Sequence, residues 1–403
     1  MEAIQKLICM EKKRILFMHQ VSSIGGASYC LLNILKSIDR SRFEPIVALK
    51  SEGPLCLEIK KIGIKVVLFP EMNIIPYNKS IFRIKSIQSY LGILLSIPRY
   101  LKLLRANNIN VVYLNNMMLY PYLKFSKKIG MQTVIHVREH WPVGQHVLQL
   151  KCAKKYVYKY ADQVIAINNY SANIFKDVPV TIVYDWVNMD DRYEPFPFSE
   201  FFGADDSNLK VYLYTGGMLS IKGTVQVIDA FTQTITDSNA RLLIVGLDPT
   251  MNSTGIKGRI KRFLSRIGYD TYEYAVKNRI NKDQRIRCIP ATYNLSHIMQ
   301  QSYCNLSFFT IPHANLALAE CAIMGTPSIA ARTDESIEYS FNEKFAILYE
   351  LGNMEAFVNS IESFDSRYDD LKNNLTKFSN NIKYLFSSER NEAILNNVLA
   401  RLF

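Results

Sequence analysis

Along the chain, short apolar runs alternate with stretches of helical period, and glycine or proline marks most of the junctions. Lys12-Lys13-Arg14-Ile15-Leu16-Phe17-Met18-His19 reads as a buried strand, Gly25-Gly26 as a turn, and Tyr29 to Leu35 as a helix. The next units repeat this order: strand Phe43 to Leu49, helix Leu55 to Ile62 opened by Gly53-Pro54 and closed by Gly63, then strand Lys65 to Phe69. Val111 to Asn116, Gly130 to His140 and Gln163 to Ile167 supply three more strands. Asp191 to Asn208 has the Pro and polar content of a linker, after which the alternation restarts. Leu209 to Thr215 is a strand, Gly216 to Gly223 a loop, Thr224 to Phe231 a helix and Arg241 to Gly246 a strand. Ile286 to Pro290, Asn305 to Phe309 and Ser328 to Ala331 complete a second sheet, with Ile256 to Lys282 helical and peripheral. The expected class is α/β, with parallel sheets in two Rossmann-like domains, 1–192 and 193–385, facing across a cleft. A C-terminal helix over about 386–403, capped by Ser387, is expected to return to the first domain.

Composition sharpens this picture in one respect. A hydrophobic content of 48% with 21% charged residues marks a folded protein, and 403 residues exceed one ordinary core. Seven scattered cysteines form neither metal nor disulfide spacing, which suits reduced thiols in the cytoplasm. No secretory pattern is read, and the longest charge-free apolar run, Ser86 to Pro98, falls short of the ~20 residues a spanning helix needs. The net charge of +12 directs attention to anionic partners. No zinc-finger, RNA-recognition or helix-turn-helix pattern supports nucleic acid. Ile81 to Arg105 carries apolar residues at helical spacing between basic ends, with Pro98 expected as a kink or break. Lys154, Lys155, Tyr156, Tyr158, Lys159 and Tyr160 form a second basic-aromatic stretch. Both suit an anionic membrane surface, and both equally suit Rossmann-layer helices with a solvated basic face. The expected location is cytoplasmic, peripheral on the inner face of the cell membrane.

Candidate chemistry concentrates between Thr310 and Ala330. A strand runs into a loop of small and polar residues, and a helix starts near Leu316 and stops at Gly325, with Pro327 beyond. A loop feeding a helix N-terminus at the carboxyl end of a strand is where α/β proteins bind anions. Glu320, one turn inside, suits a neutral diol such as a ribose, because an ionised carboxylate only accepts. Loop and carboxylate together read as a nucleoside-diphosphate site, or as an ordinary βα unit with a surface charge. Gly25 and Gly26 would let a phosphate or sugar approach the backbone, or serve a tight turn needing positive φ. The full three-glycine fingerprint is absent, which argues against a dinucleotide. Lys222, after the Gly216-Gly217 turn, points to phosphate contact.

In sequence order these features resemble the retaining family-4 glycosyltransferases of the GT-B fold, over nearly the whole chain. Ser23-Ile24-Gly25-Gly26-Ala27 resembles the family's glycine loop, and Val134-Ile135-His136-Val137-Arg138-Glu139 the strand end carrying its active-site histidine. Ala161 to Asn168 and Tyr184-Asp185-Trp186-Val187-Asn188 resemble two further segments. The resemblance implies sugar transfer from a UDP- or GDP-sugar to a glycan or lipid-linked hydroxyl, with retention, in surface polysaccharide or glycolipid synthesis. His136 would position sugar and acceptor, Lys222 would meet the diphosphate, and Glu320 the ribose. His313, Ala314, Asn315 and Leu316 would offer backbone N–H groups. The family's arginine is replaced by Gly217 and its first glutamate by Pro312, with Arg287 or Arg332 as stand-ins for the arginine. No cofactor beyond the co-substrate, no metal and no nucleic acid is expected. His19, His140, His146 and His297 form no metal-like cluster, and Arg138 and Glu139 are expected to pair together or cap a helix. Two other readings stay open: a nucleotide-binding protein without catalysis, and a nucleotide-sugar epimerase.

Overall fold

The structure, a computed structural model, describes residues 12–77, 80–141, 147–187, 194–203, 208–248, 272–292 and 294–403. The chain divides into two compact units, Met1–Trp186 with Phe386–Phe403, and Val187–Leu385.

The first unit is built on seven parallel strands: β1 (Lys13–His19), β2 (Phe43–Leu49), β3 (Lys65–Leu68), β4 (Val111–Leu114), β5 (Gln132–Val137), β6 (Gln163–Ala166) and β7 (Val180–Ile182). Their order is β3-β2-β1-β4-β5-β6-β7. The helices between them are α1 (Gly26–Ser37), α2 (Pro54–Lys61), α3 (Ile84–Ala106), α4 (Pro121–Lys128), α5 (Val147–Tyr160) and α6 (Asn169–Asn173). β1 and β4 are covered on both faces, which is why they read as continuous apolar runs. Leu16 and Met18 of β1 pack under α3, α4 and α5 through Ile93, Tyr100, Leu123 and Val157. Ile15 and Phe17 face the other way, onto Leu31 and Leu35 of α1 and Ile59 of α2. Leu395, Val398 and Leu399 of the C-terminal helix join that second face, so the helix does return to the first unit. The Ser387 side chain caps it by accepting from Arg390 N–H at 3.3 Å.

Pro98 does not break α3: the helix runs on to Ala106. Leu94 and Pro98 both face outward, so the carbonyl released by the missing N–H lies on the solvent side. Among the described residues no helix is long and apolar enough to cross a membrane.

The second unit carries six parallel strands: β8 (Lys210–Tyr214), β9 (Ala240–Val245), β10 (Ile286–Ile289), β11 (Cys304–Ser307), β12 (Ser328–Ala331) and β13 (Ala346–Tyr349), in the order β10-β9-β8-β11-β12-β13. Its helices are α7 (Phe198–Phe202), α8 (Thr224–Thr234), α9 (Tyr272–Lys282), α10 (Leu295–Gln301), α11 (Leu316–Ile323), α12 (Asp334–Tyr339), α13 (Met354–Glu362) and α14 (Phe364–Leu385); α15 (Ser388–Ala400) is the returning helix. The stretch read as a linker holds α7, whose Phe198 and Phe202 pack against Val211 and Leu213 of β8. Most of the charged stretch before α9 lies outside the described residues. In each sheet the strand order reverses direction at one point, between β1 and β4 and between β8 and β11, where doubly wound proteins place their ligands.

Candidate active site

In the second unit, the turn after β8 is fixed by packing. The Tyr214 hydroxyl donates to the Lys222 carbonyl at 2.8 Å and lies 3.1 Å from Thr224 Oγ1, which donates to the Gly217 carbonyl at 2.7 Å. Gly216 lies so close to the Tyr214 phenol that a Cβ would stand 1.8 Å from its oxygen. Gly217 has φ +59°, and a Cβ there would meet the Gly246 carbonyl at 2.9 Å. Position 217, where the resemblance leads one to expect an arginine, is left-handed and pressed against the end of β9, which favours glycine. Lys222 closes a short 3-10 turn, Ser220–Lys222, and stands half-buried. Ile221 accepts from the backbone N–H of Thr310 at 3.0 Å, which ties this turn to the loop after β11 across the reversal point.

That second loop leads into α11. Asn315 caps the helix, its side-chain oxygen accepting from Leu318 N–H at 3.4 Å. Asn315 is buried, and its Nδ2 has no hydrogen-bond partner among the described residues. The N–H groups of the first turn, starting with Leu316, have no intrahelical acceptor. Glu320 is half-buried one turn further on. Burial pulls the Lys222 ammonium below its ordinary range, and the Glu320 carboxylate pulls it back up, so the two charges act on each other directly. His313 packs edge-on against Phe309, ring centres 5.6 Å apart, and Ala314 and Pro312 are half-buried beside it. Both proposed stand-ins for the arginine have contacts of their own: Arg287 donates to the Phe201 carbonyl and lies over that ring at 5.5 Å, and Arg332 donates to Glu343 at 2.8 Å. Lys222 and Asn315 therefore lie on two segments that are hydrogen-bonded to each other, and Leu316 and Glu320 lie in the first turns of the helix that follows the second.

In the first unit, Gly25 caps α1 with an extended φ of −165°, and a Cβ on Gly25 or Gly26 would meet nothing within 4 Å. A tight turn needing positive φ does not account for this pair. Beneath it lies a buried polar network that the sequence did not disclose. His19 at the end of β1 meets Ser28 Oγ and Asn115 Nδ2, each at 3.2 Å. Arg138 Nε donates to Asn115 Oδ1 at 3.3 Å, and Arg138 Nη1 donates to both Asp185 oxygens at 2.6 and 2.7 Å. His136 is fully buried; its Nδ1 lies 2.7 Å from the Tyr113 hydroxyl and 3.4 Å from Arg138 Nη2. Since guanidinium only donates, Nδ1 is the acceptor and the proton sits on Nε2, which has no partner. Burial and then the Arg138 charge push His136 far below the usual histidine range and His19 down to about 3, so both are neutral. Burial opposes the Arg138 charge, and Asp185 more than offsets it.

Arg138 and Glu139 do not pair side chain to side chain. Glu139 instead accepts from Met117 N–H at 2.9 Å, capping the 3-10 turn Met117–Leu119, and from Arg138 N–H at 3.2 Å. Burial raises its carboxyl to about 7 against the pull of those N–H groups. Among the described residues no group of three His, Cys, Asp or Glu could hold a metal ion.

No protein-family model and no curated protein matches the chain. Solved structures do. Anabaena HepE in complex with UDP and glucose aligns with TM-score 0.72 at 17% identity, over 96% of this chain and 99% of that one. A glycosyltransferase from Rickettsia africae gives 0.68 at 16%, over 97% and 99%. Sucrose-phosphate synthase from Thermosynechococcus elongatus gives 0.68 at 13%, again over 97% and 99%. The likeness covers both units, and it establishes that the two parallel-sheet α/β domains have the GT-B fold.

Proposed function

We propose that the protein is a retaining glycosyltransferase that moves a sugar from a nucleoside-diphosphate-sugar to a hydroxyl of a glycan or lipid-linked acceptor, in surface polysaccharide or glycolipid synthesis. One observation carries the reading: Lys222 on the turn after β8 and Glu320 in α11 flank two segments that are hydrogen-bonded to each other at the β8/β11 reversal point. The HepE structure with UDP and glucose supports it by analogy of fold. In the reaction the bond from the anomeric carbon to the diphosphate oxygen breaks and a bond to the acceptor oxygen forms. The acceptor's proton passes to a leaving phosphate oxygen, so no separate base is needed. Negative charge grows on that phosphate, and Lys222, the Asn315 amide and the first-turn N–H groups of α11 are the donors that would meet it. Glu320 accepts from the ribose hydroxyls. Gly25 and Gly26 leave room over the N-terminus of α1 for a phosphate or sugar. His136 acts from the interior, as a positioning residue that holds Tyr113 and Arg138.

The test is transfer from a panel of UDP- and GDP-sugars onto membrane extract, with nucleotide affinity measured alongside. Glu320→Ala should weaken nucleotide binding by roughly 1.5–3 kcal/mol, the range for hydrogen bonds to a charged group. Unchanged affinity would remove Glu320 from the site. Binding with no transfer from any donor would favour a nucleotide-binding protein without catalysis, the reading that Gly217 and Pro312 support. A changed stereocentre on the free nucleotide sugar would mark an epimerase.

A further inference from the structure

Surface helices usually turn their apolar side to the core. The first part of α3 departs from this on one side. Its inward face holds Ser86, Ile93 and Ser96, whereas Ile84 (74% exposed), Ile87, Leu91, Leu94 and Leu95 (81% exposed) face outward. Steps of three and four residues put these five on one stripe. Phe82 extends the stripe before the helix, and Val147 and Leu148 stand exposed at the start of α5. The buried serines are satisfied, Ser86 Oγ donating to the Ser80 carbonyl at 2.8 Å and Ser96 Oγ to the Ile93 carbonyl at 2.7 Å. The helix is seated as its hydrogen bonds require, and the stripe is the side the unit leaves uncovered. A contiguous apolar surface of this kind marks a place of contact.

Charge narrows the choice of partner. The helices α3, α4 and α5 carry four, three and four Lys and Arg residues and no Asp or Glu. The whole chain has a net charge of only +12, so this one layer holds nearly as much. Among the described residues only two of these cations have acidic partners, Arg99 with Glu71 and Lys127 with Asp162 at 2.7 Å. The layer is continuous: Tyr90 of α3 hydrogen-bonds Tyr120, whose ring packs on Tyr156 of α5 at 5.2 Å. On α5, Lys151, Lys154, Lys155, Tyr158 and Lys159 line a shallow open hollow of about 430 Å³. Both helices start from the carboxyl side of a parallel sheet, so the apolar half of α3 and the apolar start of α5 lie at the end that carries the His19–Arg138 network.

We infer that this layer docks the protein on an anionic bilayer, the α3 stripe entering the acyl boundary and the α5 lysines resting among phosphate headgroups. A second copy of the chain would bring the same cations against themselves and be repelled. An anionic bilayer offers negative charge above an apolar interior, which is what the face presents in complement. The inference deepens the lipid-linked acceptor reading and rests on it for its purpose, but docking needs no donor.

The experiment is vesicle sedimentation of the full chain without nucleotide, comparing mixed phosphatidylglycerol–phosphatidylcholine vesicles with phosphatidylcholine alone. Binding is expected to the mixed vesicles, weakening as salt rises. Lys151→Gln/Lys155→Gln/Lys159→Gln should lower it on the order of 100-fold, at about fivefold per surface cation. Leu91→Ser/Leu95→Ser should lower it by about tenfold or more, with thermal melting and nucleotide affinity unchanged. Equal binding to both vesicle types, or wild-type binding by the lysine variant, would overturn the inference. So would displacement by soluble glycerol phosphate, which would mean a discrete anion pocket, or a stripe-dependent dimer with no vesicle binding. Loss of the transferase reading would show separately, as intact docking with no affinity for UDP or GDP.

Discussion

The two units carry glycine turns at equivalent places, each after the central strand beside the reversal point, and the turns are built for opposite reasons. After β8, Gly217 and Gly223 are left-handed, with φ +59° and +65°, and are wedged against Gly246 and Phe308. After β1, Gly25 is extended, and a Cβ on Gly25 or Gly26 would meet nothing within 4 Å. The charges differ in the same sense. In the first unit Arg138 is matched by a bidentate carboxylate, and the histidines beside it are neutral. In the second, burial of Lys222 outweighs the help it receives from Glu320. One turn keeps space above an interior whose buried cation is paired; the other is locked, and holds a cation that an anionic ligand would relieve. A Gly-Gly pair after a strand is thus two different signals, and only packing tells them apart.

Breaking the first unit's internal match should have the largest effect. Asp185→Ala leaves the Arg138 guanidinium buried and unpaired, a loss of about 3–5 kcal/mol in urea unfolding. A loss near zero would mean that other partners hold Arg138. Glu139 supplies a pH test of the same interior. Its folded value near 7 lies above the ordinary 4.5, so the folded chain holds this proton more tightly than the unfolded one. Its contribution is complete below pH 4.5 and is lost as pH rises through 7, roughly 3 kcal/mol at most. Glu139→Gln cannot ionise and should flatten this part of the melting-temperature profile; an unchanged slope would assign it to another group. In the second unit, Gly223→Ala puts a Cβ at φ +65°, 2.3 Å from the Phe308 ring, and should cost about 2 kcal/mol in the same unfolding assay.

Legibility in the sequence followed distance along the chain. Phe43–Leu49 and Ser328–Ala331 are strands at the residues expected, because continuous apolar runs ended by turn residues are local signals. The Lys222 turn and the α11 loop were readable as candidate phosphate and ribose contacts for the same reason. Arg138 and Asp185 stand 47 residues apart, and nothing local to either announces the pair. The α3 period was visible, but period does not say which face is inward. The buried serines mark that face, and they are satisfied by backbone carbonyls, one from Ser80 just before the helix and one from Ile93 within it. The Phe-rich segment around α7 failed in the opposite way, since its prolines spoke louder than its core.

The smallest expected change is also the sharpest divider between the two turns. At Gly25 the backbone is extended and the space is open, so alanine adopts it without strain. Loss of chain freedom in the unfolded state favours alanine by a few tenths of a kcal/mol, and the weaker helix cap opposes it by about as much. Gly25→Ala should therefore unfold within about 0.5 kcal/mol of the wild type, unlike Gly223→Ala. If the open space is where a phosphate or sugar approaches, the same methyl group should depress sugar transfer while leaving the unfolding curve in place. Wild-type transfer with wild-type stability would show that the room over α1 serves no ligand, and the two glycine turns would then differ in packing alone.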